Sequence, residues 1–216
     1  MTAHIEISHV TRRERRAAAA LGARSLAGDP STYAMFGPEL QKRLRGCRAI
    51  YTMVLATARR PAIAARQDGK LVGIVVLSAP GQCLFRQPVH ELRIGQRRIR
   101  FSLPPSGLHH LLPIAMMGGG ALQRVSRAGD QMMSHDPAEP HGHLELVAVD
   151  AGLQGQGIGS RMLEAAVADM DTFSTGTHLE TDTPENVRFY RKFGFEVREE
   201  ASVLDVATSF MWRPLP

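Results

Sequence analysis

The clearest chemical signal in this chain of 216 residues is the run Gln154-Gly155-Gln156-Gly157-Ile158-Gly159-Ser160. Closely spaced glycines let successive backbone N–H groups point into one small volume, and a helix beginning behind them adds the positive end of its dipole. Phosphate is the group such a loop suits. A P-loop is excluded, because no Lys-Ser or Lys-Thr follows Gly159. A dinucleotide fingerprint is a nearer competitor: Gly155-x-Gly157-x-x-Ser160 approaches G-x-G-x-x-G, and Glu180 lies about where a ribose-binding acid is expected. Against it, Ser160 stands in place of the third glycine, and only 57 residues follow Gly159, too few to complete a doubly wound sheet.

Titratable residues flank this loop. The run His143 to Val149 reads as a strand, and period-2 geometry places His143, Glu145, Val147 and Val149 on one face, with Leu144, Leu146 and Ala148 on the other. His143 titrates near neutrality unaided, whereas Glu145 needs burial to raise its pKa; Glu180 is a third candidate proton acceptor. His135, Asp136, His141 and His143 are close in sequence but match no helical His pair or cysteine knuckle, so no metal is expected. Cys47 and Cys83 are too few for a disulfide framework and lie away from these motifs, so a cysteine nucleophile is not expected.

The elements that must position these residues follow from periodicity. Ile5, Ile7 and Val10 predict a short strand; Thr11 with Glu14 has the spacing of a capping box for a helix from Arg12 to Ala27. Asp29-Pro30 and Gly37-Pro38 predict a loop, and Glu39 to Thr57 a second helix. Asp68-Gly69 predicts a hairpin joining Ala62–Arg66 to Lys70–Ser78. Between 80 and 140 the pattern weakens to two short helices, Leu108–Met117 and Ala121–Met133, and a basic cluster from Arg93 to Arg100 that reads as a solvated edge hairpin. A helix from Ser160 to Asp171, a strand at His178–Thr181, a helix from Pro184 to Phe193 and closing strands at Phe195–Arg198 and Thr208–Trp212 complete the chain.

Composition narrows the classes further. With 44% apolar and 22% charged residues, disordered and collagen-like chains are excluded. The formal charge of +5 hides a split: residues 1–130 carry 20 basic and 7 acidic side chains, residues 131–216 carry 6 and 14. The Arg93 to Arg100 cluster lacks interleaved aromatics beyond Phe101, so neither nucleic-acid nor membrane binding is expected from the basic half. His4 to Arg16 has no continuous apolar core, and Leu108 to Leu122 contains two His, one Pro and three Gly, so the expectation is a cytoplasmic protein.

Gln154-x-x-Gly157-x-Gly159, preceded by Leu146-Val147-Ala148-Val149-Asp150 and followed by Asn186-Val187-Arg188-Phe189-Tyr190-Arg191-Lys192-Phe193-Gly194-Phe195, closely resembles the GNAT superfamily of N-acetyltransferases. His135 to His141 and Leu179-Glu180 resemble its puromycin acetyltransferase branch more loosely. The resemblance implies one α/β (α+β) domain over 1–216, with a mixed, mostly antiparallel sheet splayed between 143–149 and 178–181 and flanked by helices. Within it, 1–79 would supply a strand, two helices and a hairpin, 80–140 a substrate-shaping insertion, and 141–216 the acetyl-CoA core. It further implies acetyl-CoA as co-substrate, with its pyrophosphate on Gln154, Gly155, Gln156, Gly157, Ile158, Gly159 and Ser160, and its pantetheine arm along the backbone of Val147, Ala148 and Val149 and against Asn186. Tyr190 takes the place of the acid that protonates the departing thiolate, and His143 or Glu145 that of the base. The expected reaction is direct acetyl transfer to a primary amine, in a monomer or homodimer. A non-catalytic acyl-CoA sensor and a protein N-terminal or lysine acetyltransferase are the alternatives.

Overall fold

The computed structural model describes residues 4–83, 89–94, 97–102 and 109–215. Its elements are β1 (Ile5–His9), α1 (Arg15–Leu26), α2 (Pro30–Phe36), α3 (Leu40–Thr57), β2 (Ile63–Gln67), β3 (Lys70–Ser78), β4 (Val89–Ile94), β5 (Arg97–Ser102), α4 (Leu112–Met116), α5 (Ala121–Ser134), β6 (Gly142–Val149), α6 (Ile158–Met170), β7 (Thr177–Thr181), α7 (Pro184–Arg191), β8 (Glu196–Val203) and β9 (Val206–Arg213). Seven strands form one sheet in the order β1-β2-β3-β6-β7-β9-β8. Every neighbouring pair in it is antiparallel except β6 and β7.

The pairing of β6 with β7 decides the architecture. It consists of Gly142 with Thr177 and His143 with His178 only. Beyond those residues the strands part, although β6 runs on to Val149 and β7 to Thr181. The expected mixed sheet with a splay is therefore present.

Helices cover both faces of the sheet. Ala64, Ile74, Val76, Leu146 and Ala148 pack with residues of α1 and α3, while Ile63, Ala65, Val75 and Leu77 pack on the opposite face with Ile158, Met162, Leu163 and Ala166 of α6. Such alternation is what a sheet buried on both sides requires.

A β-bulge in β6 corrects the expected alternation. Val76 pairs with Leu146 and Leu77 with Leu144, so Glu145 is the additional residue on its strand. The extra residue shifts the facing of what precedes it. Leu144 consequently packs in the same cluster as Val147 and Val149, while Leu146 and Ala148 face the other core.

Several boundaries also differ from expectation. The segment between Asp29-Pro30 and Gly37-Pro38 is not a loop but the helix α2, with Pro30 in its first turn and Gly37 as its C-cap. At α1, Glu14 accepts from both the backbone N–H and the hydroxyl of Thr11, at 2.9 and 2.7 Å, and α1 itself begins only at Arg15. The basic hairpin β4–β5 forms a separate two-stranded sheet rather than an edge of the main one. The expected start of a helix at Leu108 lies outside the described residues. β8 and β9 are longer than expected because Leu204 and Asp205, at φ 50° and 64°, close them into a tight hairpin. α6 starts at Ile158, ahead of the expected Ser160.

Candidate active site

The loop between β6 and α6 has the shape that anion binding needs. Gln154 to Gly157 are exposed, and Gly155 and Gly157 have φ of 76° and 78°, a left-handed conformation open to glycine at little cost. Gly157 is the N-cap of α6, so the first N–H groups of a 13-residue helix open onto this loop. Ile158 is buried in the core at 2% exposure, which leaves only its backbone for a ligand. Gln154 is held by its amide, which donates to the Val149 carbonyl at 3.3 Å, an acceptor shared with the Ser25 hydroxyl.

A cavity of about 260 Å³ opens where β6 and β7 part. From the sheet it is lined by His143 to Val147, Glu180, Thr181 and Asp182; from α7 by Asn186 and Tyr190. Asp29, Ser31 and Met35 of the α2 region, with residues of α3 and α5, close the other side. The sequence-predicted residues His143, Glu145, Val147, Asn186 and Tyr190 thus share one space, and Gln154 to Ser160 stand at the far end of the opened β6 strand.

His143 is 2% exposed and has both ring nitrogens engaged: Nδ1 lies 3.0 Å from the Cys83 sulfur and Nε2 2.9 Å from Glu180 Oε2. Burial favours neutral imidazole, but the carboxylates of Glu180 and Glu145 outweigh it and hold His143 well above its ordinary pKa. Burial likewise opposes ionisation of Glu180, yet attraction to His143, with a weaker pull from His178, keeps it well below the usual carboxylate range. The two shifts describe one buried ion pair. His178 is equally buried, with Nε2 3.6 Å from Glu180 Oε1.

Sequence reasoning placed both cysteines away from the chemistry, and the structure corrects this. Cys83 contacts His143, and Cys47 lines the cavity. Separation along the chain hid both contacts. Burial pushes the Cys47 thiol up to about 11.

Asn186 was open to a plain capping role. In α7 the cap is Thr183, whose hydroxyl accepts from the Asn186 N–H at 3.2 Å. The amide of Asn186 is left to the cavity. Tyr190 packs edge-on to Phe189 and Phe195, and burial, then repulsion from Asp29 and Asp182, raises its phenol pKa, so it stays protonated.

Asp29 is a cavity residue that sequence reasoning missed. It was legible only as the turn signal Asp-Pro, and its chemical meaning depends on α2 being a helix packed over the splay. The histidine-rich segment gives two groups of potential metal ligands, Cys83–His143–Glu145 and Asp136–His141–His143, each with ligand atoms within 4.8 Å. Their ring nitrogens already have protein partners: His141 contacts the Glu139 carbonyl and Asp136 at 2.8 and 3.1 Å, and His143 is engaged as above.

Residues 116–197 match the model of the acetyltransferase (GNAT) domain. The stretch from the end of α4 into β8 is thus similar to a GNAT acetyltransferase domain. Solved structures similar to this chain include a Corynebacterium glutamicum protein described as histone acetyltransferase HPA2 and related acetyltransferase. It is 17% identical over 98% of this chain and 97% of its own, with a TM-score of 0.64. Arylalkylamine N-acetyltransferase 2 of Aedes aegypti is 10% identical over 99% and 100%, with a TM-score of 0.63. The PaiA N-acetyltransferase of Thermoplasma acidophilum, solved with coenzyme A, is 13% identical over 98% and 99%, with a TM-score of 0.53. At these identities the likeness shows the shared GNAT fold. The looser resemblance to the puromycin branch gains no support from these matches. Among the described residues no helix is long and apolar enough to cross a membrane.

Proposed function

We propose that the protein transfers an acetyl group from acetyl-CoA to the primary amine of a small molecule by direct attack, with both substrates bound together. The observation that carries this reading is the cavity at the β6–β7 opening, where a protonated phenol and several carboxylates face one space. Acetyl-CoA supplies an acyl group activated as a thioester.

The residues present fit that donor. The N–H groups of Gln154, Gly155, Gln156, Gly157, Ile158, Gly159 and Ser160, backed by the α6 N-terminus, receive its phosphates. Backbone groups of Val147, Ala148 and Val149 beside the splay pair with the amides of its arm, Val149 through its N–H because its carbonyl already accepts from Ser25 and Gln154, and Asn186 holds the arm from α7. Tyr190 gives its proton to the departing sulfur; a positioned acid of this kind contributes about 10²–10⁴ in rate. Glu145 and Glu180 add to the negative field that draws a cationic amine into the cavity, and His143 acts through Glu180 because both of its nitrogens are already engaged. The chain is one acetyltransferase unit in which residues 80–140 shape the acceptor site through α5.

Direct attack is favoured over an acetyl-cysteine because Cys47 stays a thiol at neutral pH and Cys83 is buried against His143 outside the cavity wall. Initial rates of CoA release, measured while both acetyl-CoA and an amine are varied, should give intersecting double-reciprocal lines. Parallel lines, or acetylated protein after acetyl-CoA alone, would overturn the direct route.

A further inference from the structure

The acetyl-transfer reading leaves one cavity residue without a task. Asp29 stands at the cap position of α2 with its side chain making no capping hydrogen bond. Among the described residues its carboxylate has no hydrogen-bond or ion-pair partner, although it lines the cavity together with Tyr190. The Ser31 N–H donates to Asp182 Oδ2 at 2.8 Å, which ties the segment after β7 to the start of α2 and sets the two carboxylates at the same end of the cavity.

Among the described residues, the cation lining the cavity is His143, which is already paired with Glu180. Cavity-lining residues include Asp29, Asp130, Glu145, Glu180 and Asp182 but neither Lys nor Arg. Arg43 of α3 donates to the carbonyls of Ala27, Gly37 and Pro38, and Arg124 of α5 to those of Met35 and Gly119. Much of the remaining wall is apolar, with Met35 from α2, Ile50 and Val54 from α3, and Val125 and Met132 from α5. A carboxylate without a cation beside a second carboxylate, in an apolar chamber, calls for a cationic ligand or a proton.

We infer that Asp29, paired with Asp182, is the group that receives the acceptor's ammonium and removes its proton, and that the acceptor is a lipophilic primary amine bearing no carboxylate. The inference rests on the acetyl-transfer reading and names its base and substrate class. Of the two protons the nitrogen loses, one goes to Asp29 and on to solvent. The other replaces the proton that Tyr190 gives to sulfur. The C–N bond forms as the C–S bond breaks, and no further reactant is needed.

Electrostatics support this assignment without carrying it. Burial, reinforced by Asp182, pushes the Asp29 carboxyl up to about 7, where a base is most effective at neutral pH. The groups linked to it from α3 and α7, Cys47, Tyr51 and Tyr190, are all raised and neutral there. Glu180, by contrast, is held ionised by His143 and is the poorer base.

The test is the pH profile of kcat/KM for hexylamine, 1,6-diaminohexane and 6-aminohexanoate, with acetyl-CoA binding measured in parallel to confirm a folded site. In the natural protein the rate should rise with pH through a limb near 7. Asp29→Asn, which keeps a good helix-capping residue, should abolish that limb and lower the rate at pH 8 by about 100-fold. Asp182→Asn should move the limb to lower pH, because Asp29 loses its like-charged neighbour. Hexylamine should exceed 6-aminohexanoate in kcat/KM by about tenfold or more, since a carboxylate would face the cavity's own. A limb near 7 that survives Asp29→Asn overturns Asp29 as base while leaving acetyl transfer intact. Preference for 6-aminohexanoate overturns the acceptor class. Turnover of none of the three, despite acetyl-CoA binding, overturns the acceptor class together with the small-amine reading.

Discussion

Two carboxylates lining the cavity are poised in opposite ways by their surroundings. Glu180 has a histidine at 2.9 Å and is held ionised; Asp29 has another carboxylate and is pushed toward protonation. The second arrangement costs stability. A carboxyl whose pKa is raised on folding binds its proton more tightly in the folded state, so its stabilising effect is complete below the unfolded value of 3.8 and lost as pH rises to about 7. Asp29→Asn should therefore raise stability at pH 8 but not at pH 3.5, by on the order of 1 kcal/mol after allowance for partial exposure. Thermal melts at the two pH values check this, and an equal change at both would place the effect in packing instead. Tyr190→Phe should lower kcat by about 10–100-fold with acetyl-CoA affinity nearly unchanged, because only the proton for the leaving sulfur is removed. An undiminished kcat would take Tyr190 out of the acid role.

Elements set these residues in place, and here the sequence was unevenly informative. Strong local patterns told true: Asp68-Gly69 closes β2 onto β3, and Gln154 to Ser160 joins a strand to a helix as expected. Patterns that depend on tertiary context did not. α2 is seven residues between two Pro-containing turns and is fixed by packing rather than propensity: a Cβ at Gly46 of α3 would lie 2.3 Å from the Phe36 ring. The bulge at Glu145 is likewise set by β3, not by any local signal. The Leu204-Asp205 turn contains no glycine, so its hairpin was cut short in the reading. Gly46→Ala should cost about 1–3 kcal/mol through overpacking and lower turnover by moving α2. Denaturant unfolding and steady-state rates on the same variant report the two effects. At the phosphate loop, Gly157→Ala forces a residue with Cβ into φ 78°. Its cost is about 1 kcal/mol, and the KM for acetyl-CoA should rise while kcat at saturation holds.

Across the whole molecule, the segment 80–140 is less separable than its irregular sequence suggests. Ile114, Ala121 and Leu122 are buried at 0%, 3% and 7% in the same cluster as α1 and α3. Meanwhile Val125, Met132 and Met133 line the cavity. The core residues and the lining residues should thus answer differently. Ile114→Ala should destabilise by about 2–4 kcal/mol, whereas Met132→Ala should change the order of preferred amines with acetyl-CoA affinity unaltered. A calorimetric titration with acetyl-CoA beside an amine panel separates the two outcomes. The charge split takes its meaning at this scale as well. The acidic C-terminal part supplies most of the cavity's carboxylates, so the proposed reaction has its polyanionic donor held by backbone N–H groups at one end and its cationic acceptor drawn to the other. Overall charge was easy to read from the sequence; its placement relative to the splay needed the fold.

Acetyl transfer from acetyl-CoA to an amine in this cavity can be read out by mass spectrometry of a single incubation. The protein, acetyl-CoA and hexylamine together should yield N-acetylhexylamine and free CoA in equal amounts, with the chain itself unmodified. Acetyl-CoA left intact in the presence of the amine, or an acetyl group found on the protein instead of the amine, would contradict it.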